Sequence, residues 1–244
     1  MKSGRVAVLY TGGKDSTYTC QLLEEQGHEV ACLISIFSQN KESYMLHTAS
    51  IDVVKLAARA MGFPLITETT SGEKEKELRD IQRAVKRASE SYDFQILASG
   101  GIASRYQKDR FDALARSFGL ESAAPLWGID QENYLRKLLT LGYRIMITSV
   151  SAGGLGREWL GKEIGEDSLE TLLRIAKKYG FNPSFEGGEG ETLVLDCPIF
   201  KRGRIEILSY KITWNGYFGS LAVKEARLVP KQGNPGLASK APVQ

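Results

Sequence analysis

The chain has 244 residues, 42% of them apolar and 25% charged, with 32 Lys+Arg against 29 Asp+Glu for a net charge of +3. These values exclude a disordered or collagen-like chain, and +3 over this length lacks the clustered basic excess of a general nucleic-acid binder. No apolar run reaches the roughly 18 residues that span a bilayer, Val6–Tyr10 is too short for a signal-peptide core, and Cys20, Cys32 and Cys197 form no C-x-x-C pair, so the expectation is a cytoplasmic protein without a membrane partner.

Arg5–Tyr10 (RVAVLY) is a β-branched apolar run and reads as a buried strand. It runs into TGGKDS at Thr11–Ser16, and the spacing then predicts a helix over 16–26 stopped by Gly27. Val30–Phe37 reads as a strand, Ser50–Met61 as a helix closed by Gly62 and Pro64, and Pro64–Thr67 as a third strand. Residues 72–91 carry Glu75/Arg79 and Lys76/Asp80 at i,i+4 spacing, the pattern of a helix with a solvated face. Phe94–Ala98 predicts a fourth strand. This alternation implies a parallel sheet covered by helices, where ligands sit outside the carboxyl ends of strands. The glycine-rich turns after Tyr10 and Ala98 are therefore the first places to look for a site.

Beyond these, 131–141 reads as a helix stopped by Gly142, and Tyr143–Val150 as a strand. Ser168–Tyr179 reads as a helix capped by Ser168 and stopped by Gly180, and 192–195, 204–210 and 217–223 as short strands. The fold class expected is α/β: a parallel-sheet domain over 1–125 and a smaller α+β domain over 126–230. Residues 231–244 lack an apolar pattern and read as a loose tail. His28, after a helix stop, is expected to be exposed and inert, and Cys197 to be a small buried hydrophobe.

The chemistry starts at TGGKDS. Gly12 and Gly13 let backbone N–H groups approach an anion with no Cβ in the way, and the helix N-terminus adds a positive dipole end. Thr11 and Ser16 bring hydroxyls and Lys14 a point charge on a loop expected to be exposed. Asp15 would repel a phosphate, so it reads either as a helix cap or as a Mg²⁺ ligand. No G-K-[ST] occurs, which excludes a Walker A loop, and the later glycines of G-x-G-x-x-G are missing.

Thr11–Ser16 resembles the SGGxDS pyrophosphate loop of the N-type ATP pyrophosphatases (PP-loop superfamily), with Thr for the usual first Ser. SYMLHT at 43–48, IASRYQKDR at 102–110, PLW at 125–127, NYLR at 133–136 and EGGEGETLVLDCP at 186–198 are similar to the diphthine–ammonia ligase family. Gly190 departs from an aromatic residue that some members carry within the EGGExET string. The resemblance implies an adenine nucleotide alpha-hydrolase-like (HUP, Rossmann-like) ATP-binding domain. It implies ATP and Mg²⁺ as cofactors, and amidation of the diphthine carboxylate on elongation factor 2 through an acyl-adenylate. AMP and pyrophosphate leave, and the nitrogen comes as free ammonium, since no glutaminase is evident beside the two domains. A homo-oligomer is compatible with this reading.

On that resemblance, Lys14, Asp15 and Ser16 are the catalytic candidates, with Asp15 as metal ligand. Thr11, Gly12, Gly13, Lys14, Asp15 and Ser16, with Ser35 and Gly100, would bind nucleotide. Acceptor binding falls to Tyr44, His47, Tyr106, Gln107 and Arg110, and to Glu186, Gly187, Gly188, Glu189, Glu191 and Thr192. Three carboxylates on a glycine-rich loop repel one another unless a cation arrives, and the trimethylammonium group of diphthine is one, with Tyr44 or Trp127 as aromatic walls. Residues 38–47 and 186–191 are candidate lids over the reactive intermediate. From composition and motif alone, three alternatives stay open: a PP-loop enzyme that modifies tRNA, a small-carboxylate ligase, or a nucleotide sensor without turnover.

Overall fold

The β-branched runs that alternate with amphipathic segments form a parallel sheet. The computed structural model describes residues 3–38, 51–71 and 74–231. The sheet holds β1 (Arg5–Leu9), β2 (Glu29–Ser38), β3 (Leu65–Thr70), β4 (Ile96–Ala98) and β5 (Glu121–Ala123) in the order β3-β2-β1-β4-β5. Val6, Val8 and Leu33 pack against Tyr18 and Leu23 of α1 (Lys14–Glu25) and Val53, Val54 and Ala57 of α2 (Ile51–Met61). Ala7, Cys32, Ile34 and Ile36 face the other way. They meet Ile81, Ala84, Val85 and Ala88 of α3 (Lys74–Ser91) and Leu114 and Ala115 of α4 (Arg105–Ser117). Burial on both faces is why these strands read as continuous apolar runs. The chain turns to opposite sides of β1 for β2 and β4, so the carboxyl ends of β1 and β4 flank a topological switch point, where open α/β sheets bind ligands.

The rest of the chain adds α5 (Gln131–Thr140), β6 (Arg144–Val150), α6 (Glu166–Tyr179), β7 (Gly190–Asp196), β8 (Arg204–Trp214) and β9 (Gly219–Val229). The strands form an antiparallel sheet in the order β7-β6-β9-β8. Tyr134, Leu135 and Leu138 of α5 and Ile145, Ile147, Leu193 and Leu195 of the second sheet share one buried cluster with Val6, Val8 and Tyr18. The two sheets therefore share a core.

Several expectations are corrected. α1 starts at Lys14, two residues early, because extended Gly13 serves as N-cap and Asp15 suits the positive end of the helix. Ser168 is not the cap of α6. Gly165 is, and the Ser168 hydroxyl accepts the Gly165 N–H at 2.8 Å from within the first turn. His28 is buried, and its Nδ1 accepts the Gly4 N–H at 3.2 Å. β5 has too short an apolar signal to be foreseen, and β8 and β9 run to 11 residues each, longer than their polar exposed stretches suggest. Cys197 is buried, as expected. Among the described residues no helix is long and apolar enough to cross a membrane.

Candidate active site

TGGKDS leaves the carboxyl end of β1 and becomes the first turn of α1. Gly12 sits at φ +85°, a conformation that suits glycine, and its carbonyl accepts the Val194 N–H of β7 at 3.1 Å. Gly13 caps α1 with no side chain, which keeps first-turn N–H groups for an anion. The Lys14 N–H is the exception and donates to Thr192 Oγ1 at 3.2 Å. Thr11 Oγ1 and Ser16 Oγ lie 3.1 Å apart and brace the loop internally. Gly100, after β4, lies against the same turn: a Cβ there would come within 2.8 Å of the Asp15 carbonyl carbon and the Ser16 nitrogen.

Lys14 is buried, with a relative exposure of 1%, contrary to the expected exposed loop. The segment before β7 covers it. Lys14 Nζ donates to Asp15 Oδ2 at 2.9 Å and to the Ser184 carbonyl at 2.5 Å. Asp15 Oδ1 accepts the Tyr134 hydroxyl of α5 at 2.8 Å. Phe185, at φ +65°, is the one non-glycine among the described residues in the left-handed region. Such backbone costs about 1 kcal/mol or more. It lies between Ser184, whose carbonyl meets Lys14, and Glu186, whose Oε2 accepts the N–H groups of Ile102 and Ala103 at 3.0 and 3.2 Å.

The acidic loop thus bridges the loops after β1 and β4. Burial and the negative charge of Asp15 push the Glu186 carboxyl above the usual range, opposed by Lys14 and the two backbone N–H donors. Glu189 turns inward on its own loop: its Oε1 accepts the Asn182 N–H at 3.1 Å and its Oε2 the Gly187 N–H at 2.7 Å.

Family models of the diphthamide synthase N-terminal and C-terminal domains match residues 4–122 and 130–229. The chain belongs to the diphthamide synthase family. It is 34% identical over 214 residues to a diphthine–ammonia ligase of Schizosaccharomyces pombe, covering 81% of this chain and 35% of that protein, so it spans about a third of the fission-yeast relative. It is 34% identical over 218 residues to the diphthine–ammonia ligase of Rattus norvegicus, covering 81% of each. A tRNA-specific 2-thiouridylase MnmA of Amoebophilus asiaticus is 27% identical over 173 residues, covering 58% of this chain and 46% of that protein.

For this diphthamide synthase family member, the structure brings together Thr11, Gly12, Gly13, Lys14, Asp15, Ser16, Gly100, Glu186 and Thr192. Ser35 is fully buried in β2, and its hydroxyl donates to the Tyr10 carbonyl at 2.6 Å, which secures the end of β1 below the loop. Ser104 caps α4 through the Gln107 N–H, and the Arg110 guanidinium stacks 4.1 Å from the Tyr106 ring centre, one turn along the same face. Trp127 is exposed, with Lys108 Nζ 5.8 Å from its ring centre. Glu191 lies in β7 opposite Ser149, while Gly187 and Gly188 are exposed on the loop. Tyr44, His47 and most of the first candidate lid lie outside the described residues. A Cβ at Gly190 would come within 2.6 Å of the Ser149 carbonyl oxygen and 3.1 Å of the Phe185 ring, so a larger residue fits only if β6 and β7 part.

The residues suit Mg²⁺ chemically. A hard cation at a nucleotide site takes one or two carboxylates plus phosphate oxygens. Asp15 on the phosphate loop and Glu186 on the acidic loop supply the carboxylates, the Asp15 charge acting to raise the Glu186 carboxyl, and each Asp15 oxygen carries one hydrogen bond here and keeps a further lone pair. Sequence reasoning assigned no role to Tyr134, Gln131 or Ser184. NYLR marks Tyr134 only through family likeness, and a tyrosine on an apolar helix face reads as core.

Proposed function

We propose that this chain is an ATP-dependent diphthine–ammonia ligase that amidates the diphthine carboxylate on elongation factor 2, in the cytoplasm where that factor works. One observation carries the reading: the stretch that brings the acidic loop into β7 packs directly on the phosphate loop from both sides of that acidic loop, through Lys14 Nζ to the Ser184 carbonyl before it and the Lys14 N–H to Thr192 of β7 after it. A carboxylate acceptor and the α-phosphate of ATP can then meet in one cleft. In this proposal residues 1–125 bind ATP and residues 126–230 shape the acceptor side.

A carboxylate is a poor electrophile, because oxide is a poor leaving group. Its oxygen attacks the α-phosphorus of ATP, and the bond to the β-phosphate breaks to release pyrophosphate. Ammonia then attacks the acyl carbon, the C–O bond to AMP breaks, and the nitrogen loses a proton to solvent. The phosphate loop receives the pyrophosphate on backbone N–H groups that are oriented before reaction. When bound, Mg²⁺ would neutralise charge on the leaving pyrophosphate, with Asp15 and Glu186 to hold it. Glu186, Glu189 and Glu191 gather acidic side chains on one segment beside the phosphate loop, which favours a cationic acceptor.

Free ammonium is the nitrogen donor in this reading. The three cysteines are buried and burial pushes their thiols up, so they do not offer the exposed thiolate that a nucleophilic role would need. The test is to incubate the protein with ATP, an ammonium salt and diphthine-bearing elongation factor 2, then separate the nucleotides. AMP with pyrophosphate, dependent on the acceptor, is expected. Acceptor-dependent ADP, or AMP formed equally with unmodified factor, overturns the reading.

A further inference from the structure

A closed circuit of hydrogen bonds surrounds Asp15. Its Oδ1 accepts the Tyr134 hydroxyl at 2.8 Å, and its Oδ2 accepts Lys14 Nζ at 2.9 Å. Lys14 Nζ also holds the Ser184 carbonyl. Ser184 in turn donates its hydroxyl to Gln131 Oε1 at 2.6 Å and its N–H to the same oxygen at 3.3 Å. Gln131 and Tyr134 stand three apart on α5 and so share a face. The circuit therefore runs from Asp15 through Tyr134, one turn of α5, Gln131, Ser184 and Lys14 back to Asp15.

We propose that Tyr134 is a positioning residue: with Lys14 it fixes the orientation of the Asp15 carboxylate, so that the remaining lone pairs face the metal–pyrophosphate site before any ligand arrives. Three features support this. The Tyr134 ring is 1% exposed and packs 5.7 Å from the Tyr18 ring centre, so it has no freedom to follow a moving carboxylate. The Tyr134 hydroxyl is placed as a donor, since an ionised carboxylate oxygen can only accept. Asp15 itself is only partly covered, so without these two donors its carboxylate would rotate toward solvent. A carboxylate that is already oriented loses less entropy when it takes up a cation.

The inference rests on the proposed ligase reading and deepens it, and two measurements separate their failures. Wild-type AMP formation, as above, tests the reading. Tyr134→Phe tests the inference, because it removes one oxygen and keeps the packed ring. Mn²⁺ is titrated into each protein with α,β-methylene-ATP and free Mn²⁺ is followed by electron paramagnetic resonance. Affinity about ten-fold weaker in Tyr134→Phe is expected. Half-saturating Mg²⁺ in turnover should rise by a similar factor, with most of the rate recovered at high Mg²⁺. A purely structural tyrosine would lower the unfolding midpoint, leave Mn²⁺ affinity unchanged and show no Mg²⁺ rescue, and that result overturns the inference. So does a wild type that makes AMP yet binds no Mn²⁺ with the nucleotide.

Discussion

Lys14 shows how a side chain expected at the surface becomes part of the frame. Its ammonium is buried against Asp15 and the Ser184 carbonyl, so removal leaves two acceptors without their shared donor. Breaking a buried charge pair costs about 3–5 kcal/mol, and the partial exposure of Asp15 places this one lower, at about 2 kcal/mol. Lys14→Met is therefore expected to lose about 2 kcal/mol in urea unfolding and about 10²–10³ in the rate of AMP release. A full rate loss with unchanged stability would mean that the Ser184 contact does not form. Glu189 makes the same point with opposite charge. It holds the Asn182 and Gly187 N–H groups, and in Glu189→Gln an amide NH₂ faces one of those donors. That mismatch is worth about 1–2 kcal/mol. Amide exchange over residues 182–189 should quicken about ten-fold as acceptor affinity falls. Weaker acceptor binding with unchanged exchange would instead point to direct contact between the carboxylate and the substrate cation.

Elements position these residues by close approach. α1 reaches the turn after β4 so tightly that a Cβ on Gly100 meets main-chain atoms, which cannot rotate aside as a side chain does. Gly100→Ala should therefore cost about 1–3 kcal/mol by overpacking and weaken ATP binding, both readable by thermal denaturation with and without nucleotide. A normal ATP-induced shift in the variant would show that the turn gives way without disturbing the phosphate loop. A second junction titrates. The Asp112 carboxyl of α4 accepts from Lys108 and from Ser122 of β5, each at 2.6 Å. Burial acts to raise its pKa, but these bonds and the charges of Lys108 and Arg116 hold it below the usual value. A lowered carboxyl stabilises the fold above the ordinary carboxylate pKa of about 4 and stops doing so as pH falls through its folded value. The deficit of Asp112→Asn should be about 0.5 kcal/mol at pH 7, given solvent screening, and should fade below pH 4 in paired urea titrations. A deficit independent of pH would assign it to shape alone. These cases also mark what could be read from the chain. The strand–helix alternation and TGGKDS are local patterns, legible within a few residues. The burial of Lys14 was hidden because its cover lies 170 residues away, and β5 because three residues with one buried apolar side chain carry no periodicity.

Across the whole molecule, the question is whether the two sheets are one thermodynamic unit. The largest core cluster joins β1, α1 and α2 to α5, β6 and β7, and polar links at the site cross the same boundary. Further links lie away from the site: Tyr143 donates to Gln21 Oε1 at 2.7 Å, and the Arg202 N–H bonds the Ala60 carbonyl at 2.8 Å. Opening the interface would expose apolar surface from both sheets and strip partners from buried polar groups. Burial stabilises at about 25 cal/mol per Å², and a lost partner on a buried polar group costs about 1–3 kcal/mol. Either sheet folding alone would forgo these contacts, and one transition is expected. Trp127, Trp159 and Trp214 all lie outside the first four strands and helices, so tryptophan emission reports the later part of the chain. Hydrogen exchange of the β1 and β4 amides reports the earlier part. The two probes should give the same urea midpoint, and saturating ATP should move both together, because a ligand that binds only the native state stabilises everything that unfolds with its site. If ATP protects β1 and β4 while tryptophan emission keeps its original midpoint, the sheets unfold separately, and the shared core does not couple the acidic loop to the phosphate loop.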